Sequence, residues 1–113
     1  MNIAYLEIVT PNVDETCEVL SRIHEAHFSD PVAALGNART APIPGGRVGV
    51  RAPMHESESP VVRPYWAVAD AEAALNSIQE SGAEPAHPAM ALPGEGTFAI
   101  ALLGGIQHGL WQD

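Results

Sequence analysis

The chain repeats itself. At a period near 59, residues 37–46 (NARTAPIPGG) lie over residues 96–105 (GTFAIALLGG). With one inserted residue, 48–51 (VGVR) lies over 108–111 (HGLW). At the front, 5–12 lies over 63–70, each stretch ending where a helix begins. A duplication constrains a fold more than any local propensity, because each copy has to be one supersecondary unit and the two have to cover one another. Either copy alone, at about 55 residues, has too small a core to stand by itself. The 113 residues therefore read as one domain, with module one over about 1–53, a connector over about 54–60 and module two over about 61–113.

Local patterns fill in the modules. Residues 3–10 (IAYLEIVT) are β-branched and aromatic and predict a strand that Pro11 breaks. Asn12 with Glu15 three positions on predicts a capping box. Val13, Cys17, Leu20 and Ile23 then recur at helical spacing to about Ala26, with Asp14, Glu15, Glu18, Arg22 and Glu25 on the other face. A turn is expected at Gly36-Asn37, a strand over 38–43 and a turn at 44–46. Residues 47–51 (RVGVR) alternate strictly. Residues 52–60 read as an exposed connector. Module two begins with a strand over 61–68 and a helix capped by Asp70, with Ala71, Ala74, Leu75 and Ile78 apolar and Gly82 as its stop. Residues 84–93 read as Pro-rich and irregular, and strands follow over 97–103 and 106–111.

Composition excludes several roles. Fourteen carboxylates against five arginines and no lysine give a net charge of −9. Without a basic run, neither a nucleic-acid backbone nor an anionic membrane surface is an expected partner. No apolar stretch approaches the roughly 20 residues that span a bilayer. The start of the chain has no basic region of the signal-peptide kind. The single cysteine, Cys17, reads as a small core residue and suits a reducing compartment, so a cytoplasmic protein is expected. Four of the five arginines (Arg39, Arg47, Arg51 and Arg63) fall within 25 residues.

A doubled βαβββ unit of this length resembles the vicinal oxygen chelate superfamily, which includes glyoxalase I, bleomycin-resistance proteins and extradiol dioxygenases. The echoes are YLEIVTPNVDET (5–16), RPYWAVADAEAA (63–74) and GGIQHGLWQ (104–112). The resemblance implies an α+β fold in which two modules form a curled mixed-sheet funnel with helices on the outer face and a ligand inside. Under that geometry, alternation turns Leu6, Ile8, Pro64, Trp66 and Val68 toward the helices. Tyr5, Glu7 and Val9 turn inward, as do Arg47, Gly49 and Arg51, Arg63, Tyr65 and Ala67, and Gln107, Gly109 and Trp111.

Metal-dependent members of the family place His, Gln or Glu at four positions. Here Tyr5, Gly49, Arg63 and Gly109 stand there, and none is a good ligand; a guanidinium has no lone pair to give. No metal and no other cofactor is expected. His24 and His27 sit at the end of a helix, His55 and His87 in Pro-rich connectors, and alternation turns His108 away from the funnel.

The resemblance implies a small-molecule pocket built from Glu7, Arg63 and Tyr5 as catalytic candidates, with Tyr65, Arg51, Arg47, Gln107 and Trp111 as ligand contacts. Glu7 would abstract a proton and Arg63 would hold the resulting oxyanion, in lyase, isomerase or hydroxylase-type chemistry. An internal Arg63–Glu7 ion pair is the structural alternative for those two residues. Trp111 is left open between core, ligand platform and dimer contact, while Trp66 and Phe98 read as core. The functional alternative is a non-catalytic binding or sequestering protein of the bleomycin-resistance type. An open sheet edge invites pairing of chains, so a homodimer is expected.

Overall fold

A computed structural model describes residues 1–113. The elements run β1 (Ile3–Val9), α1 (Val13–His24), a 3-10 turn (Ala33–Leu35), β2 (Arg39–Ile43), β3 (Gly46–Arg51), β4 (Val61–Ala67), α2 (Ala71–Glu80), β5 (Glu84–Leu92), β6 (Gly96–Leu103) and β7 (Ile106–Gln112). The class is α+β, with strands in mixed orientation, as expected. The chain packs as two compact units, Leu6–Val62 and Met1–Tyr5 with Arg63–Asp113. β1 gives its first half to the second of these and its remainder to the first.

In the unit containing Arg63–Asp113 the strand order is β1-β4-β7-β6-β5. β4 and β7 run parallel, with Tyr65 opposite Gly109 and Ala67 opposite Trp111. A parallel pair needs a crossover, and α2 lies within it. Asp70 caps α2 as its position predicts, its carboxylate accepting from the Ala73 amide at 2.9 Å. Ala71 and Leu75 of α2 bury against Ala99, Ala101 and Leu110, and Val68, Ala74 and Ile78 pack around them.

β5 corrects the sequence reading. Residues 84–92 form a strand despite Pro85 and Pro88. β5 is the last strand in the order, and an edge strand tolerates residues without an N–H. Its ladder with β6 also slips between Pro85 and His87 and between His87 and Met90, so that bulges absorb what the prolines cannot pair.

In the Leu6–Val62 unit the order is β2-β3-β1, with β2 and β3 joined through Gly45 at φ 78°. The expected turn at Gly36-Asn37 is present, both residues lying at positive φ. Three expectations fail here. Asn12 stands at the start of α1 but its side chain caps nothing, because its backbone (φ −108°, ψ 56°) lies outside the extended conformation a capping residue adopts. Thr10 Oγ1 accepts the Asn12 amide hydrogen, and Thr16 Oγ1 donates to the Asn12 carbonyl.

The apolar stripe of α1 also stays open. Cys17 is buried, yet Leu20 is half-buried and Ile23 is 64% exposed. Burial pushes the Cys17 thiol up, which leaves it an inert core group. Module one further lacks the third strand of the expected βαβββ pattern. Where module two has β5, module one has the left-handed Glu25, the 3-10 turn and an isolated Val32–Ala38 bridge.

Candidate functional site

Two constellations of the expected site residues stand out, one in each unit. In the Leu6–Val62 unit, β1 carries Glu7 and β3 carries Arg51, 7% and 5% exposed. Arg51 Nε donates to Glu7 Oε2 at 2.9 Å. Its two terminal nitrogens donate to the two oxygens of Glu58 at 2.8 Å each, a bidentate fork, and Nη1 also reaches the Ala52 carbonyl at 3.1 Å. Four of the five guanidinium donors are thus spent within the protein. The Met54 amide donates to Glu58 Oε1 at 2.8 Å and fixes the loop that brings this carboxylate in.

The charges respond accordingly. Hydrogen bonds from Arg51, the largest cause, hold Glu58 down at about 2 from an ordinary 4.5. The Arg51 guanidinium is pushed up, chiefly by its bonds to Glu58. Sequence reasoning missed Glu58, because residues 52–60 carry no periodicity and read as solvated. The one available signal was a carboxylate within reach of a buried strand arginine.

The other arginines of this unit are peripheral. Arg39 Nη1 meets Asp14 Oδ1 at 2.8 Å and its Nε donates to the Ser29 carbonyl, tying β2 to the first turn of α1. Arg47 is half-buried on β3, opposite Pro42.

In the other unit the inward positions form a ring assembly. Tyr5 stacks on Trp111 at 5.4 Å between centroids, and Tyr65 stands edge-on to both. Tyr65 also meets Phe98 edge-on, and Phe98 stacks on His87 at 4.7 Å. Tyr5, Tyr65 and Trp111 are 3%, 6% and 4% exposed, so Trp111 is a buried stacking partner. Phe98 is only half-buried, and His87 lies on β5 against it, so the expected solvated connector is corrected.

Gly109 lies under Tyr65, and a Cβ there would overlap the ring. Arg63 is half-buried on β4, two residues before Tyr65 and therefore on the same face. Gln107 is exposed on β7. His108 faces the other way, as alternation requires, and its Nδ1 accepts from Trp66 Nε1 at 3.1 Å.

Neither a protein-family model nor a curated protein matches the sequence. Solved structures do match its shape. A hypothetical protein from Bacillus halodurans C-125 superposes with a TM-score of 0.81 at 8% identity, over 99% of this chain and 94% of that one. Methylmalonyl-CoA epimerase from Mycobacterium tuberculosis gives 0.75 at 14% identity, over 97% and 86%. A glyoxalase/bleomycin resistance protein/dioxygenase superfamily member from Vibrio splendidus 12B01 gives 0.70 at 11% identity, over 99% and 98%. This chain has the glyoxalase/bleomycin-resistance/dioxygenase fold.

That fold commonly carries a divalent metal, and the residues here do not fit one. No group of three or more His, Cys, Asp or Glu side chains is placed to hold an ion. At the positions the fold would use, Tyr5 is locked in the ring stack, Gly109 lies beneath Tyr65, and Arg63 is a cation with nothing to donate to a metal.

Proposed function

We propose that this chain binds and acts on a small, oxygen-rich anionic molecule, with Glu7 as the general base; Arg63, in the other unit, is proposed separately as an anion contact. The observation that supports this most is the fixing of Glu7. A carboxylate 7% exposed on β1 is held by a guanidinium that is itself clamped by Glu58. A base held in one orientation loses no freedom when it meets substrate. In the reaction, Glu7 takes the proton from a carbon beside a carbonyl. The C–H pair moves into the carbonyl to give an enolate. Return of the Glu7 proton to the face it left regenerates the substrate with its hydrogen exchanged against solvent, and expulsion of a β substituent by the enolate pair makes the step a lyase reaction. A methylmalonyl-CoA epimerase is among the proteins similar in fold, which lends the reading support. Tyr5, Tyr65 and Trp111 are proposed as the apolar wall of their unit with Gln107 as an outer ligand contact there, and Arg47 as an outer ligand contact in the unit of Glu7. Arg51 acts on the ligand only through Glu7.

The experiment is isotope exchange. Methylmalonyl-CoA and simpler 2-substituted acyl thioesters are incubated with the protein in D2O, and deuterium at the α carbon is followed by NMR. The wild-type chain should exchange, and Glu7→Gln should abolish exchange while binding survives. Exchange undiminished in Glu7→Gln would remove Glu7 from the role.

One observation favours a second reading. Arg51 neutralises Glu7 on the spot, as suits a carboxylate whose task is to orient a ligand. The chain would then be a non-catalytic binder of the bleomycin-resistance type, and saturable binding without exchange would establish it. In either case we place the protein in the cytoplasm as a homodimer, and a monomeric mass by light scattering at micromolar concentration would overturn the dimer. No helix is long and apolar enough to cross a membrane.

A further inference from the structure

The Leu6–Val62 unit holds a cavity that the reading above does not use. It lies between α1 and the helix-facing side of β1, β2 and β3, with a volume of about 540 Å³. Leu6, Ile8, Leu20, Phe28, Ile43 and Val48 make its lining strongly apolar. The cause is the open stripe of α1. α2 closes on its sheet through Ala71 and Leu75, whereas α1 buries only Cys17 and overhangs a floor that includes the small Ala41. A volume of this size lies in the range of small-molecule sites.

The polar groups of the lining come from one stretch, His24, Glu25 and His27, where α1 ends. Glu25 is the one carboxylate among the lining residues, and they include no arginine. The last carbonyls of α1 add the negative end of the helix dipole. The imidazole nitrogens offer lone pairs beside them. Arg22, the cation nearest in sequence, is bound to Glu18 at 2.9 Å. A carboxylate head entering here would meet like charge, and an ammonium would meet acceptors.

We propose that this cavity binds a small amphiphilic amine, its apolar body against Leu6, Ile8 and Val48 and its ammonium at Glu25 and the carbonyl end of α1. The site shares neither Glu7 nor Arg63, so it stands or falls apart from the enzymatic reading.

Octylamine, octanol and octanoate test it on the full chain, by titration against the methyl resonances of Leu20, Ile43 and Val48. All three resonances should shift with octylamine. The amine should bind about threefold more tightly than octanol, the margin expected of one partly exposed charge pair, and octanoate more weakly still. Glu25→Gln, at an exposed position, should erase the preference for the amine and leave octanol binding as it was. Ala41→Leu should fill the floor and weaken all three. Methyl resonances unmoved by octylamine, octanoate binding as tightly as octylamine, or an amine preference that survives Glu25→Gln would each overturn the proposal.

Discussion

Replacing Arg51 by methionine removes a buried cation while keeping most of its volume. Arg51 sits between two carboxylates, with side chains 6% exposed for Arg51, 9% for Glu7 and 16% for Glu58. Its loss leaves the Glu7 carboxylate in a site that water barely reaches. Breaking a buried pair on one side costs about 3–5 kcal/mol, because the remaining charge has no compensation. A domain of this size has about 5–15 kcal/mol in all. At about 4 °C per kcal/mol, the melting temperature should fall by about 12–20 °C.

The assay is urea denaturation at neutral pH, read as a shift in midpoint at unchanged slope. The control is the double variant. Adding Glu7→Gln to Arg51→Met removes the stranded charge and should recover about 1–3 kcal/mol, a coupling typical of groups in one network. If Arg51→Met alone costs under about 1 kcal/mol, the cluster behaves as a solvated surface pair and its burial has been misjudged. If the two losses simply add, Arg51 does not hold Glu7.

Two further outcomes follow from the same geometry. Glu58 is held down at about 2 from 4.5, so its contribution is full above pH 4.5 and is lost as pH falls toward 2. Glu58→Gln should flatten the stability profile across that window, and a profile that keeps its wild-type slope would show that Arg51 does not carry the shift. Gly109→Ala drives a methyl into the Tyr65 ring and should cost about 1–3 kcal/mol with a change in near-UV circular dichroism. An unchanged spectrum at wild-type stability would mean that Tyr65 does not cover Gly109.

Much of the fold could be read from the repeat. The order of elements, the Asp70 cap and the facing of Leu6 and Ile8 toward α1 all follow from spacing and alternation, which are local and periodic. The misses share another character. β5 was hidden because Pro85 and Pro88 argue against a strand unless the strand is known to be an edge, and edge position is a property of the whole sheet. α1 was expected to close through Ile23, since a stripe in sequence shows which face is apolar and not how far the helix descends. Glu58 was missed for a similar reason. Nothing along the chain announces that a loop carboxylate will fold back onto an arginine seven residues earlier. Arg51 reads as a ligand contact in the sequence because its direction is legible from alternation, whereas the spending of its donors is not.

The prolines of the outer strands bear on how this chain survives at high concentration. β5 carries Pro85 and Pro88 at its ladder slips, and β2, the outer strand of the other unit, carries Pro42. Proline lacks an N–H and is one of the residues that blunt the edge of a sheet against a foreign strand. Growth of stacked strands from either side is therefore interrupted before it can propagate, and the net charge of −9 adds repulsion between copies. Any specific self-association has to use faces and side chains, because the outermost backbone has been made a poor template.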